Sequence, residues 1–314
     1  MNAPLCASQS CASVQPVTSR PGPLLYAGQP IDRMTTETGN IAIMTTSPLP
    51  AFETIRLVLT GNVATLTLNR PHRLNAAPPQ MFEEIHDVLK RLPGLGARAL
   101  LITGEGRAFC SGADLQASAA AQAEATSRGA RTYKVLTESY SPTMLALSRL
   151  EMPVVTAVNG AAAGIGCLLG LAGDFTLAGR SAYFLQAFVN IGLVPDGGSS
   201  WMLPRLVGKA RATEMMMLGE RISAEKAEQW GLIYRAVDDA DLQAQAFALA
   251  ERLANGPTLA LGLMRKGLAV ALEQTYEAAL NTEAEHQSMT ASSADAREGG
   301  QSFLERRKPV FSGR

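Results

Sequence analysis

Two short buried strands, each followed at once by a glycine-containing turn, constrain the fold of this chain most. The strand RALLITG (98–104) leads into GEGRAFCSGADL (104–115), and the strand PVVTAVNG (153–160) leads into AAAGIGCLLG (161–170). Glycine is needed where a backbone turns sharply or approaches a ligand closely. Two such turns that converge would direct a pair of N–H donors at one oxygen atom, which is an oxyanion hole. The alternative is that these glycines only allow dense packing between layers.

Strands and helices alternate along most of the chain, which indicates the α/β class. Two alternating runs around Thr60-Gly61-Asn62 predict a β-hairpin over 52–71. Apolar residues at helical spacing predict further helices. These helices are expected at 79–92, 132–150, 209–218, 223–230, 239–254, 257–290 and 295–307.

The chain divides by composition into three parts. Residues 1–50 are rich in Pro, Ser and Thr and show no period, so we predict a disordered N-terminal extension. Residues 51–245 carry the strand–helix units and are expected to form the core with the active site. Residues 246–314 read as helical, and we expect them to form a packing and oligomerisation region.

Composition excludes several classes of protein. The 314 residues are 46% hydrophobic and 18% charged, with 28 Lys+Arg and 28 Asp+Glu. A nucleic-acid-binding protein usually carries a basic excess, so no nucleic-acid partner is expected. No apolar run reaches the roughly 20 residues that span a bilayer, so no membrane association is expected. The four cysteines and three histidines lack metal-ligand spacing, which predicts reduced thiols, a cytoplasmic location and no metal site.

Three segments, in order, resemble the enoyl-CoA hydratase/isomerase family, also called the crotonase family. They are AFCSGADL (108–115), VVTAVNGAAAGIGCLLGLAGD (154–174) and GLVPDGGSSWMLPRLVGKARA (192–212). RPHRLNA (70–76) and FLERRKPVFSGR (303–314) fit the family as well. The resemblance implies a spiral of ββα units and a C-terminal helical region that forms a homotrimer or a dimer of trimers. It also implies an acyl-CoA thioester as substrate, with no cofactor other than the coenzyme A of that substrate.

The resemblance assigns roles to particular residues. The main-chain N–H groups of Ala113 and of Ile165, which follows Gly164, would hold the thioester oxygen. Coenzyme A would be bound by cations and by the segments around them. The residues carried over for this purpose are Arg73, Ala76, Ser111, Ala113, Asp114, Leu115, Gly164, Phe303 and Lys308.

The two catalytic glutamates of the family's hydratases fall on apolar positions here, Leu168 and Phe188. The lone carboxylate in GLVPDGGSSW, Asp196, matches the acid/base of isomerase-type members. The closest in style are those that isomerise ring-epoxidised phenylacetyl-CoA. A surface turn residue or a helix N-cap is the structural alternative for Asp196.

We therefore expect an acyl-CoA isomerase in which Asp196 shifts a proton and apolar neighbours raise its pKa. Two alternatives stay open. One is a hydratase, or another hydrolase or lyase of the same fold, with water held by Asp196 alone. The other is a non-catalytic member that binds acyl-CoA or RNA.

Overall fold

A computed structural model describes residues 51–114 and 127–314 of the chain. The extension predicted over 1–50 lies outside these residues. The described strands are β1 Ile55–Thr60, β2 Val63–Leu68, β3 Ala99–Gly104, β4 Ala108–Cys110, β5 Val154–Val158, β6 Ala161–Ala163, β7 Phe175–Gly179, β8 Tyr183–Leu185, β9 Arg221–Ser223 and β10 Arg235–Val237.

Helices follow most pairs of strands. Their bounds are Pro79–Arg91, Arg128–Val135, Ser141–Ser148, Ile165–Leu171, Ser199–Leu218, Ala224–Gln229, Leu242–Ala254, Thr258–Ala271, Tyr276–Ala291 and Ala294–Leu304. A π-helical turn, Leu136–Tyr140, joins the second and third of them. The mixed α/β fold that the strand–helix alternation predicted is confirmed.

Successive strands are distributed over two sheets. The larger sheet has six strands in the order β1-β2-β3-β5-β7-β10, and the smaller has four in the order β4-β6-β8-β9. In three successive pairs of strands, the first strand joins the larger sheet and the second joins the smaller one. These pairs are β3 and β4, β5 and β6, and β7 and β8. This repeat is the predicted spiral of ββα units.

Both faces of the larger sheet are covered. Alternate residues of β3 point to opposite faces, because the side-chain period of a strand is two. Leu100 and Ile102 pack with the helix Pro79–Arg91, while Leu101 packs with the helix Leu242–Ala254. Coverage on both faces is what a parallel sheet with near-continuous apolar strands requires.

Some boundaries differ from those expected. Non-helical torsions at Gly208 (φ 76°) divide the segment Ser199–Leu218 into two helices. The second begins where the expected helix 209–218 does, and the first was not expected. The expected helix 257–290 is two helices, because Thr275 caps a new one by accepting from the Ala278 N–H. The helix Leu242–Ala254 packs on the larger sheet, so the boundary expected at 246 falls inside a helix of the core.

Candidate active site

Three parallel strands of the smaller sheet end at one edge. β6 pairs in parallel with β4 on one side and with β8 on the other. Because parallel neighbours have their carboxyl ends at the same edge, the segments that follow them meet there. These segments are 111–114, 164–165 and 186–188. The sheet therefore brings both glycine turns together with a third segment, 186–188. In this segment the resemblance had singled out only Phe188.

The two glycine turns are in direct contact. Gly112 and Gly164 both have positive φ, 108° and 53°, which L side chains rarely adopt. A Cβ on Gly112 would lie 3.2 Å from the carbonyl oxygen of Ala163, and one on Gly164 would lie 3.8 Å from the Cα of Gly112. Dense packing and a shared site are therefore not alternatives for these glycines, because the close packing is what brings the two turns together.

The N–H of Ala113 points away from its neighbouring strand. A parallel bridge joins Ala113 to Ala77, and its hydrogen bonds use Gly112 and Asp114: Ala77 N donates to Gly112 O (2.8 Å) and Asp114 N donates to Ala77 O (3.0 Å). In this pattern the amide of the central residue faces the other side. Within 51–114 and 127–314 no protein acceptor receives the Ala113 N–H.

Ile165 supplies a second amide at the adjacent turn. It is the first residue of the helix Ile165–Leu171, and Gly164 at the N-cap position has no side chain to cap that helix. The first N–H groups of a helix have no partner inside it. Among the described residues the Ile165 N–H also finds none. Two unpaired amides therefore lie on turns that touch each other, which makes them candidates for an oxyanion hole.

Asp196 lies in a turn that packs against this helix. A Cβ on Gly197 would overlap the Cδ1 of Ile165 and would lie 3.3 Å from the Cβ of Leu168. The Asp196 Oδ1 is buried and has no hydrogen-bond partner. The helix that follows begins with Gly198 at its N-cap, and no side chain caps it. Asp196 is thus neither an exposed turn residue nor the helix cap that the sequence left open.

Burial changes the chemistry of the Asp196 carboxyl. Desolvation raises its pKa to about 6 from an ordinary value of 3.8. A carboxyl with this pKa exchanges a proton readily near neutral pH, which is what a general acid or base requires. The direction agrees with the expectation from its apolar neighbours.

The two positions that correspond to the hydratase glutamates, Leu168 and Phe188, are apolar and lie next to the two turns. Leu168 is fully buried in the helix Ile165–Leu171, and Phe188 is buried after β8. The Cζ of Phe188 lies 3.6 Å from the place where a Cβ of Gly164 would stand. The phenyl ring therefore lies against the second turn, where a hydratase of the family has a carboxylate.

A buried ion pair forms at Asp114, the residue that follows Ala113. Asp114 is 3% exposed and lies 2.9 Å from Arg70 Nη1 and 3.5 Å from Arg73 Nη2. Arg70 Nη1 also donates to the carbonyl of Ala76. Asp114 and Arg73, both predicted as binding residues, are thus paired with each other, and Arg70 is a partner that the motif did not single out.

Asn75 is a further residue that the sequence did not single out. It is fully buried with φ 53°, and its Nδ2 donates to the carbonyls of Glu105 and Ala108 at 3.0 and 2.8 Å. Its Oδ1 accepts from the Arg70 N–H at 2.8 Å. Left-handed torsions in a polar residue suit Asn, so the sequence RLNA carried a signal for this turn.

Tyr140 is the other supporting residue. The π-helical turn Leu136–Tyr140 brings its hydroxyl 2.8 Å from the Ala77 carbonyl, the same oxygen that accepts from Asp114 N. Burial raises the Tyr140 pKa, with further contributions from Cys110, Asp196 and Asp114. Its hydroxyl thus supports the segment that pairs with Ala113.

The remaining predicted binding residues are more scattered. Ser111 donates its N–H to Leu74 O at 3.1 Å, next to the first turn. Phe303 and Lys308 are exposed, on and after the last helix. Leu115 lies outside the described residues. No group of three or more His, Cys, Asp or Glu side chains that could hold a metal ion occurs in the described chain.

Comparison with known proteins agrees with this geometry. The model of the family Enoyl-CoA hydratase/isomerase matches residues 59–314. The chain belongs to the enoyl-CoA hydratase/isomerase family. A crystal structure of a putative enoyl-CoA hydratase from Streptomyces coelicolor A3(2) superposes with a TM-score of 0.79 at 34% identity, covering 90% of this chain and all of that one. The predicted family and its crotonase-like fold are thereby confirmed.

Relatives within the family carry different activities in their names. A probable enoyl-CoA hydratase of Rhodobacter capsulatus is 44% identical over 264 residues, which is 84% of this chain and 100% of the relative. The 1,2-epoxyphenylacetyl-CoA isomerase of Escherichia coli K12 is 42% identical over 253 residues, 80% of this chain and 95% of the relative. Similarity alone therefore does not separate isomerase from hydratase.

No described helix is long and apolar enough to cross a membrane.

Proposed function

We propose that this protein is an acyl-CoA isomerase. The main-chain amides of Ala113 and Ile165 hold the thioester oxygen, and Asp196 carries a proton between two carbons of the acyl chain. The observation that carries the proposal is the half-buried Asp196, whose Oδ1 is buried without a hydrogen-bond partner in a turn that packs on Ile165.

The reaction needs one carboxyl and no water. The Asp196 carboxylate takes a proton from carbon 2 of a 3-enoyl thioester, and the electron pair of that C–H bond moves towards the thioester oxygen. The two amides stabilise the resulting dienolate, and a donor of this kind is worth on the order of 10²–10³ in rate. Asp196 then returns the proton to carbon 4, and the double bond ends between carbons 2 and 3. No atom is gained or lost.

Hydration is the alternative within the same fold, and the name of the Rhodobacter relative favours it. Adding water requires a group that holds and activates it. Leu168 and Phe188 cannot hydrogen-bond a water molecule, so Asp196 would have to do so alone. The likeness to the Escherichia coli isomerase supports the other reading.

Coenzyme A would bind beside Arg73, near the Asp114 ion pair, and along the segments of Ala76, Ser111 and Leu115. Phe303 and Lys308 would serve an acyl-CoA bound to another copy of the chain, because the family's C-terminal helix can act on a neighbouring subunit. Charge-assisted hydrogen bonds to phosphate support a role for both cations.

Paired assays test the proposal. The purified protein is given a 3-enoyl-CoA and, separately, crotonyl-CoA, and formation or loss of the conjugated thioester is followed by absorbance. We expect isomerisation to exceed hydration and to fall by about 10²–10⁴-fold in Asp196→Asn. Hydration that survives in Asp196→Asn contradicts the role of Asp196. Tight acyl-CoA binding with turnover of neither substrate would favour a non-catalytic member.

A further inference from the structure

We propose that Gln186 is a positioning residue, which orients the Asp196 turn through the hydroxyl of Ser199. The inference rests on the proposed function, because it concerns how the acid/base is held. It assigns a role to a residue that the sequence motifs leave unassigned.

A short chain of contacts joins the three residues. Gln186 is fully buried directly after β8, and its Oε1 lies 3.0 Å from Ser199 Oγ. Ser199 Oγ in turn lies 2.7 Å from the main-chain oxygen of Asp196. The Ser199 N–H donates to that same oxygen at 3.1 Å. Ser199 is 1% exposed, so water does not compete for these contacts.

With the Gln186 amide in this orientation, the hydrogen-bond donors and acceptors around the Ser199 hydroxyl do not match. A serine hydroxyl has one proton, yet both of its neighbours here, Gln186 Oε1 and the Asp196 carbonyl, are acceptors. Meanwhile Gln186 Nε2 is buried with no partner. A buried donor without a partner destabilises the folded state. The oxygen and nitrogen of a glutamine amide are assigned from the network rather than from their shape.

Rotating the Gln186 amide by a half-turn satisfies the network. Nε2 then donates to Ser199 Oγ, and the Ser199 proton goes to the Asp196 carbonyl. A donor–acceptor chain then runs from Gln186 through the Ser199 hydroxyl to the Asp196 main chain.

This hydrogen-bond network holds the main chain at Asp196 from one side. Two donors, the N–H and the hydroxyl of Ser199, hold the Asp196 carbonyl and therefore the plane of the Asp196–Gly197 peptide. The direction of the carboxyl follows from that plane. Gln186 keeps the hydroxyl proton pointed at the carbonyl, because its own N–H occupies the hydroxyl oxygen. Without Gln186, the turn is free to relax towards solvent.

The test is a double-mutant cycle with Gln186→Met and Ser199→Ala in the full-length enzyme. The matched control is Ser200→Ala, which changes an exposed neighbour on the same helix. We expect each single change to lower the kcat of isomerisation by about 10- to 100-fold, as misplacement of a catalytic group does, with KM nearly unchanged. The double variant should be no slower than the slower single variant. Additive losses, or losses in KM alone, contradict the inference.

A second measurement does not depend on turnover. The titration of Asp196, followed by NMR of ¹³C-carboxyl-labelled aspartate in the unliganded enzyme, should move to lower pH in both variants, because water reaches the carboxyl. Tyr140, the described titratable group that interacts with Asp196, is present in all samples. An unmoved titration in Ser199→Ala overturns the inference even if Gln186→Met fails to fold.

The two proposals fail separately. If the wild type isomerises and Asp196→Asn does not, while Ser199→Ala matches the wild type in kcat and titration, only the role of Gln186 is lost. If Asp196→Asn retains full isomerisation, the proposed role of Asp196 is lost, and the Asp196 titration in Gln186→Met and Ser199→Ala still decides whether Gln186 positions this turn.

Discussion

Gly197 lies against Ile165 so closely that a Cβ at position 197 would overlap the Ile165 Cδ1. The residue next to the candidate acid/base thus touches the residue that supplies a candidate oxyanion amide. This contact packs the turn that carries the carboxyl against the residue that carries the amide.

Substitution of this glycine should cost activity beyond backbone strain. Gly197→Ala and Gly198→Ala both place a side chain at positive φ, 62° and 90°, which costs about 1–2 kcal/mol each. Only the first meets Ile165, since nothing lies within 4 Å of a Cβ at Gly198. We expect similar losses in the free energy of unfolding but at least a further 10-fold loss in kcat for Gly197→Ala. Equal kcat values in the two variants would count against coupling of base and amide.

The pH dependence of catalysis should report Asp196. The group must be ionised to accept the first proton, and burial raises its pKa to about 6. We expect kcat/KM for isomerisation to rise with pH through a midpoint near 6 and then level off. A midpoint near 4 would mean that the carboxyl is hydrated in the free enzyme.

Removal of this charge should stabilise the unliganded protein. Since the folded-state pKa lies above the ordinary 3.8, the folded chain holds a proton that the unfolded chain has lost, and stability falls as pH rises between about 4 and 6. Asp196→Asn should therefore gain roughly 1–3 kcal/mol at pH 7 and little at pH 4. Urea unfolding at both pH values measures this. A gain that is equal at the two pH values would have another origin.

Loss of the Tyr140 hydroxyl should loosen the first turn. In Tyr140→Phe the Ala77 carbonyl keeps only the Asp114 N–H as donor. We expect about 0.5–1.5 kcal/mol less stability and a severalfold lower kcat, because Ala113 lies opposite Ala77. Tyr133→Phe is the control, since Tyr133 is 72% exposed. Matching kinetics in both variants would limit Tyr140 to packing.

Self-association, which the resemblance predicts, should use the C-terminal helices. A groove of about 790 Å³ between the helices Thr258–Ala271 and Tyr276–Ala291 is lined by apolar residues that include Met264, Leu268 and Leu280, and Leu268 is 75% exposed. We propose that copies of the chain associate here. Light scattering should give a trimer or hexamer for the wild type and for Val58→Glu, and a smaller species for Leu268→Glu. An unchanged mass for Leu268→Glu contradicts this.

Short-range patterns predicted much of the fold. The hairpin around Gly61-Asn62, the helix Pro79–Arg91 and the helix Ala224–Gln229 each depend on residues close in sequence, so their signals are local. The helix start at Ser199 was not predicted, because it is stabilised by Gly198 at positive φ and by packing rather than by a capping side chain. The break before Tyr276 had a local signal in Thr275 that an otherwise continuous apolar period concealed.

The site was predicted in part for a similar reason. Asp196, Gly112 and Gly164 lie in motifs whose composition already indicates turns and a lone carboxylate. Gln186 and Tyr140 support the turns through contacts between residues 13 and 63 apart in sequence. Contacts of that kind leave no periodicity, so only the arrangement of the strands and helices reveals them.

The two amide donors are part of the main chain, and this has an evolutionary consequence. Replacement of Ala113 or Ile165 by a residue other than proline changes the side chain and leaves a main-chain N–H at that position. Drift at Ala113 can therefore change the surroundings of the proposed thioester site while its N–H persists, whereas drift at Ile165 also alters the contact with Gly197. A lineage with such a site can diversify its substrates first and its chemistry later, by placing a carboxylate at 168 or 188.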